Sequence, residues 1–243
     1  MSLNDVKIQA FIFCWRDYVS EALKMENLIS PLAKTTVINS NVNFHYGKWI
    51  NIKDGYFAEQ WNTLLEHIDD DTEYVFHIQA DAFCDDYEAL FRRFRKIERE
   101  YPIGVYAPDV SFTPCKYNLY DLKKYADNLY RVPNTDCTCW FINTELMDKK
   151  PLFDLSVNKT GWGADFYYIA LALTRELLVM RDYSIEIHHP RNTGYDHGRA
   201  YDEYVKWLFQ QDAEIFMQIN HLMKNYELIR IRDQDPHTEG RNP

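Results

Sequence analysis

Three short stretches of this chain carry side chains able to do chemistry, each where a fold could present them. The first is Gln79-Ala-Asp81, which ends the apolar run Tyr74-Val-Phe-His-Ile78. A bare carboxylate at the end of a buried strand is costly unless water, a partner or a metal satisfies it. Beside a diphosphate, one carboxylate can hold a divalent cation, with phosphate oxygens and water filling the other positions. Asp81 could instead cap the following helix, although Asp85 stands nearer to that role. The second stretch, Gly161-Trp-Gly-Ala-Asp165, sets a tryptophan between two glycines and an acid at a helix start. The glycines allow close backbone approach, Trp162 offers a stacking plate, and the helix start favours an ionised Asp165. Such a carboxylate suits general-base work on a bound hydroxyl; the plainer alternative is an N-cap beside a packed tryptophan. The third, His188-His189-Pro-Arg-Asn-Thr-Gly-Tyr195, runs a strand into two histidines, which are frequent metal ligands. Ile185 and Ile187 alternate, and His189 continues their parity onto the same face; either histidine could equally be a hydrogen-bonded loop residue.

These stretches need elements to position them. The periodicity predicts strands at Val6–Phe13, Thr35–Asn39, Tyr74–Gln79 and Ile103–Ala107, alternating with helices at Asp17–Ile29, Gly55–Ile68 and Asp85–Glu100. That order implies a mostly parallel, doubly wound α/β sheet over the first 110 residues. The second half predicts a strand at Thr138–Asn143, a short helix near Thr144–Met147, a helix at Asp165–Leu178, a strand at Tyr183–His188 and one long helix at Tyr201–Asn225. No Pro/Gly/Ser-rich linker separates the halves, so a single domain with two lobes sharing a sheet is expected. In such sheets ligands sit at the carboxyl ends of strands, where Asp81 falls.

Composition narrows the class. A formal net charge of −10 disfavours nucleic acid as a partner. The basic cluster Arg92, Arg93, Arg95, Lys96 and Arg99 is interleaved with Phe91, Phe94 and Ile97 at helical spacing, as a solvated helix face would be. The 18 Tyr, 14 Phe and 6 Trp suit either an aromatic core or platforms for sugars and bases. Five cysteines without a CxxC pair, no charged-then-apolar leader and no run near the ~18 residues of a membrane span lead to the expectation of a cytoplasmic protein with reduced thiols.

In their order, strand-Asp81, Gly161-Trp-Gly-Ala-Asp165 and His189-Pro, the three stretches resemble the metal-dependent glycosyltransferases of the GT-A fold. The similarity is to the family-2-like inverting enzymes and, at GWGAD, to the galactosyltransferases; it spans roughly residues 6 to 200. Gly55-Tyr-Phe-Ala-Glu-Gln-Trp-Asn62 looks like the helix before the family's donor-site strand, and Phe153-Asp154 like its acceptor-side loop. The resemblance implies a nucleotide-binding, Rossmann-like mixed sheet flanked by helices. A nucleotide-sugar lobe would cover about 5–110, an acceptor lobe about 111–200 and a C-terminal helix about 201–230. It implies Mn²⁺ or Mg²⁺ on Asp81 and His189, Asp165 as base, and Trp162 as a wall for a sugar. Cys14, Trp15 and Asp17 would lie over the nucleotide base, with Asn62 on the donor-site helix, Gln79 on the ribose, and Arg191 and Tyr195 closing over the diphosphate. The partners implied are a nucleotide-sugar donor, a UDP-sugar first, and a glycan acceptor for a polysaccharide, with peripheral membrane contact allowed. Gln79 stands where the family usually has its first acid, Ala164 where it has Glu, and Asn39-Ser-Asn41 where acids usually read uracil. These departures motivate one rival, a catalytically silent nucleotide-sugar or glycan-binding protein on the same fold. A nucleotidyltransferase is disfavoured because no glycine follows the first strand.

Overall fold

Seven consecutive buried residues, Ile8–Cys14, form the first strand, β1, of a ten-stranded mixed sheet. The computed structural model describes residues 6–53, 55–190 and 196–229, with side chains to 225. After β1 come α1 (Val19–Ile29), β2 (Lys34–Asn39), β3 (Ile50–Asn51) and α2 (Phe57–Glu66). They are followed by β4 (Tyr74–Gln79), β5 (Phe83–Cys84), α3 (Tyr87–Glu98) and β6 (Ile103–Val110). The second half holds β7 (Lys123–Ala126), β8 (Leu129–Arg131), β9 (Cys139–Asn143), α4 (Ala164–Thr174), β10 (Leu178–His188), α5 (His197–Leu208) and α6 (Ala213–Ile229).

Period-two alternation sends the strand side chains into two cores. Ala10, Ile12 and Cys14 pack with Met25 of α1 and Phe91 of α3; Phe11 and Phe13 pack with Trp61 of α2 and Ile169 of α4. Burying both faces lets the central strands be apolar throughout, as parallel sheets require.

The strand order is β3-β2-β1-β4-β9-β6-β10-β8-β7, with β5 pairing β10. β1 is parallel to β2 and β4, but β6 does not continue that run. β9 lies between β4 and β6, antiparallel to both. The strands of the first 110 residues thus pair in parallel as expected at β1–β4, and β9 from the second half is inserted between β4 and β6, which run the same way. Cys139–Ile142 is buried on both faces, so it can lie only in a sheet interior, and the chain reaches it after the β7–β8 hairpin. Near Thr144–Met147 the expected helix is a 3-10 turn, Thr144–Leu146.

β10 begins at Leu178, earlier than its apolar alternation indicates, and carries an irregularity between Asp182 and Glu186. Fully buried Asp182 holds that irregularity, accepting hydrogen bonds from Ser184 N at 2.9 Å, Arg93 Nε at 2.7 Å and Tyr106 OH at 3.0 Å. The long C-terminal helix is in fact two, broken at 209–212, where Asp212 O accepts from Phe216 N to open α6. Asp is a good helix opener and a poor interior residue. No described helix is long and apolar enough to cross a membrane.

Candidate active site

β4 delivers its last residue, Gln79, to the carboxyl edge of the sheet. There a turn closed by Ala82 N to Gln79 O, at 3.0 Å, holds Asp81 at its tip. β10 ends beside it. His189 N donates to Ser111 Oγ at 2.9 Å, just past the end of β6, which fixes the backbone. His189 Nε2 then lies 3.6 Å from Asp81 Oδ2, both side chains mostly buried. Asp81 Oδ1 is buried with no hydrogen-bond partner among the described residues. His188 points elsewhere, half exposed, with Nε2 3.3 Å from Asp85 Oδ2. The cap of α3 is Asp86, whose Oδ1 accepts from Ala89 N at 2.8 Å, and not Asp85.

This pair suits a divalent cation. It offers one imidazole nitrogen and one orphaned carboxylate oxygen, groups that hard and borderline metals accept. Among the described residues no cluster of three or more His, Cys, Asp or Glu could hold a metal, so a bound ion would complete its shell from a ligand and water.

The Gly-Trp-Gly segment is built by packing. Gly161 has φ 77°, and a Cβ there would lie 2.4 Å from Phe57 Cδ1 and 2.9 Å from Ala58 N. Gly163 has φ 101°, and its Cβ would strike Tyr204 and Trp207 of α5. The close backbone approach that the glycines allow is made by the protein's own helices α2 and α5. Trp162 is half-buried, its ring 5.6 Å from that of His197 in an edge-on contact. Two residues with no motif to announce them shape this loop. Asn158 Oδ1 accepts from Gly161 N at 2.8 Å while its Nδ2 donates to Trp162 O at 2.9 Å, and Glu203 Oε2 accepts from Lys159 N and Thr160 N at 3.0 Å each.

Asp165 sits in the first turn of α4. Its Oδ1 accepts from Phe166 N at 2.9 Å, the interaction expected to keep it ionised. Burial outweighs that bond: with the nearby Asp136 charge adding to it, the carboxyl pKa is pushed up to about 7. The helix start is the weaker influence here, which corrects the sequence-based expectation.

At the end of β1 a cavity of about 230 Å³ is lined by Trp15, Asp17, Ser40, Asn41 and Tyr56 among others. Arg16, at φ 54°, lays its guanidinium 3.9 Å from the centre of the Trp15 ring. Cys14 does not line this cavity. Its side chain faces the core, where burial pushes the thiol up to about 12. Asn62 is likewise used internally: its Nδ2 donates to Phe153 O at 2.8 Å and its Oδ1 accepts from Phe153 N at 3.0 Å. It clamps the Phe153-Asp154 loop with both ends of its amide. Gln79 is half-buried at the strand end. Arg191 and Tyr195 lie outside the described residues.

No known family profile and no curated protein sequence matches the chain. Solved structures do. The crystal structure of GalNAc-T7 with UDP, GalNAc and Mn²⁺ superposes with a TM-score of 0.60 over 94% of this chain at 9% identity. This chain covers 56% of that one, little more than half its length. The crystal structure of A197 from STIV aligns with 77% of this chain and 87% of its own, at TM-score 0.47 and 13% identity. The first likeness establishes the fold, a GT-A-like mixed sheet flanked by helices.

Proposed function

We propose that this chain is a metal-dependent glycosyltransferase that moves a sugar from a nucleotide-diphosphate donor, a UDP-sugar in the first instance, to a hydroxyl of a glycan acceptor with inversion. The observation that carries the reading is the Asp81–His189 pair, with its orphaned carboxylate oxygen, at the carboxyl edge of a GT-A-like sheet. Mn²⁺ or Mg²⁺ held by Asp81 and His189 would neutralise charge on the departing diphosphate. The β1-end cavity would take the base, Trp15 by stacking and Asp17 by accepting a hydrogen bond. Trp162 would wall the sugar. Asp165 would accept the proton of the acceptor hydroxyl as its oxygen bonds to the anomeric carbon and the bond from that carbon to the diphosphate breaks on the opposite face. Holding both substrates in line removes much of the entropic barrier.

The test is thermal unfolding of wild type and Asp81→Ala with Mn²⁺ against UDP, GDP, CMP and dTDP, followed by release of nucleotide from the matching sugar donors. Stabilisation by one nucleotide that requires metal and vanishes in Asp81→Ala supports the reading by mass action. A shift indifferent to metal and to Asp81 returns that carboxylate to a structural role. Metal-dependent binding with no turnover against varied acceptors would favour a silent binding protein.

A further inference from the structure

Glu203 lies on α5, one turn after Arg199, and its side chain is only 13% exposed. Its Oε2 accepts from two successive peptide groups, Lys159 N and Thr160 N, at 3.0 Å each, while its Oε1 accepts from Arg199 Nε at 2.7 Å. Successive N–H groups converging on one carboxylate oxygen form an anion seat, and such charge-assisted bonds are roughly twice as strong as neutral ones. The carboxylate is therefore aimed at the backbone immediately before Gly161-Trp162-Gly163.

The other anchors of that loop show what this bond sets. On the flank facing α2, Ala58 N donates to Lys159 O at 3.4 Å, a long bond. Within the loop, fully buried Asn158 ties Gly161 N to Trp162 O through the two ends of its amide. After Trp162, the backbone of Gly163 fits closely against Tyr204 and Trp207 of α5, and His197 at the start of that helix lies edge-on to the indole. Thus α5 grips the loop on both sides of Trp162, and Glu203 makes the hydrogen bonds on the near side. Asp165 is held differently: α4 buries Ala164, Tyr168 and Ile169 in the core, which fixes the first turn of that helix without Glu203.

A flat ring gives its full contact only over a narrow range of distance, since a gap of half an ångström to one ångström already forfeits roughly a quarter to a half of the attraction. We propose that Glu203 is the positioning residue of the sugar wall: it holds the Trp162 indole where a pyranose ring can lie against it, and so sets affinity for the sugar without touching it. The inference rests on the transferase reading, in which Trp162 walls the sugar, and adds the residue that aims it. Arg199 separates this role from the stability of α5. Its pair with Glu203 is an i,i+4 ion pair with the guanidinium half exposed, of a kind that contributes little. Removing Arg199 leaves both backbone bonds of Glu203 in place.

The experiment is saturation-transfer NMR on the full chain with Mn²⁺ and UDP, titrating methyl glucoside, methyl galactoside and methyl N-acetylglucosaminide, with UDP affinity measured in parallel by calorimetry. Trp162→Ala and Glu203→Ala should each weaken the best-bound glycoside by about tenfold, the scale of one aromatic contact, and leave UDP affinity unchanged. Alanine is the best helix former, so α5 should persist in Glu203→Ala. Glu203→Gln keeps a carbonyl oxygen for the two N–H groups and should restore most of the binding, and Arg199→Ala should bind as wild type does. The decisive variant combines Trp162→Ala with Glu203→Ala. A residue that acts through Trp162 adds nothing once the indole is gone, so the double variant should bind as weakly as Trp162→Ala and no weaker. Additive losses in the double variant, wild-type binding by Glu203→Ala, or equal losses in Arg199→Ala and Glu203→Ala overturn the proposal and leave the wall itself standing. Wild-type binding by Trp162→Ala, or no glycoside bound by wild type, overturns the proposal together with the wall. Failure of wild type to bind UDP, with the glycosides behaving as expected, counts against the nucleotide reading alone.

Discussion

His189 Nε2 and Asp81 Oδ2 meet at 3.6 Å although they lie 108 positions apart in the chain, because β10 and β4 both end at the same sheet edge. Strand parity selects His189 over its neighbour. The irregularity in β10 falls before Glu186, so the alternation Ile187, His188, His189 runs unbroken into the site. Ile187 is buried, His188 is half exposed towards Asp85, and His189 turns in to Asp81. His189→Ala is expected to weaken Mn²⁺ binding by at least about tenfold, no less than the loss of a partner outside the ligand shell. His188→Ala should leave it near wild type. Titration of Mn²⁺ followed by its EPR signal separates the two; equal losses in both variants would remove the parity argument.

Asp165 should trade stability for function. Its folded pKa, about 7, lies above the ordinary carboxylate value of 3.8, so the folded chain holds a proton there that the unfolded chain has lost. The stability linked to that proton is full below the unfolded value and drains away as pH rises through about 7. A base must be deprotonated to act, so turnover should rise with pH across the same region. Asp165→Asn is expected to lose transfer, retain donor binding, and gain about 1–3 kcal/mol over wild type at alkaline pH. Urea unfolding of both proteins on either side of pH 7 checks the sign, and normal turnover by the variant would refute the base assignment.

Much of this was legible in the sequence, and what was not has physical reasons. The strand-end Asp81 and the parity of His189 could be read because a two-residue period carries a side chain's direction across a whole strand. β9 could not be placed, since an apolar run buried on both faces has the same appearance whichever way it pairs. The core-facing side chain of Cys14 and the bonds of Asn62 to Phe153 were not legible, because sequence position tells which element a residue is on, but not what its side chain meets there. Asp136 lies in no recognisable motif and became visible only as a buried oxygen without a partner.

Gly161 is expected to be intolerant of any side chain, for reasons of packing. Alanine would have to hold φ near 77° and push its Cβ into Phe57 and the backbone of Ala58. The conformational penalty and the clash together should cost about 2–4 kcal/mol. Gly198, whose Cβ would meet only Asp196 Oδ1 at 3.3 Å, serves as the control. Thermal unfolding of Gly161→Ala and Gly198→Ala compares them, and equal midpoints would mean that the Gly161 loop relaxes freely.

His77 makes the fold sensitive to acid independently of any catalysis. It is fully buried on β4 among aromatic rings, its own ring centre 4.3 Å from that of Phe13, 5.6 Å from that of Phe57 and 5.3 Å from that of Trp61. Burial pushes its pKa down to about 3, and the backbone at Cys137 offsets this only in part. The unfolded chain takes up a proton at the ordinary value of 6.5, so the neutral imidazole's contribution is complete above that pH and is lost as pH falls towards 3. The slope contributed by this one proton approaches ~1.4 kcal/mol per pH unit within that window. His77→Phe keeps a planar ring among the other aromatics and removes the proton. Urea unfolding of both proteins at a series of pH values through that window should give a shallower acid dependence for the variant by close to one proton. If the two slopes coincide, His77 is protonated in the folded chain and the aromatic enclosure does not hold it neutral.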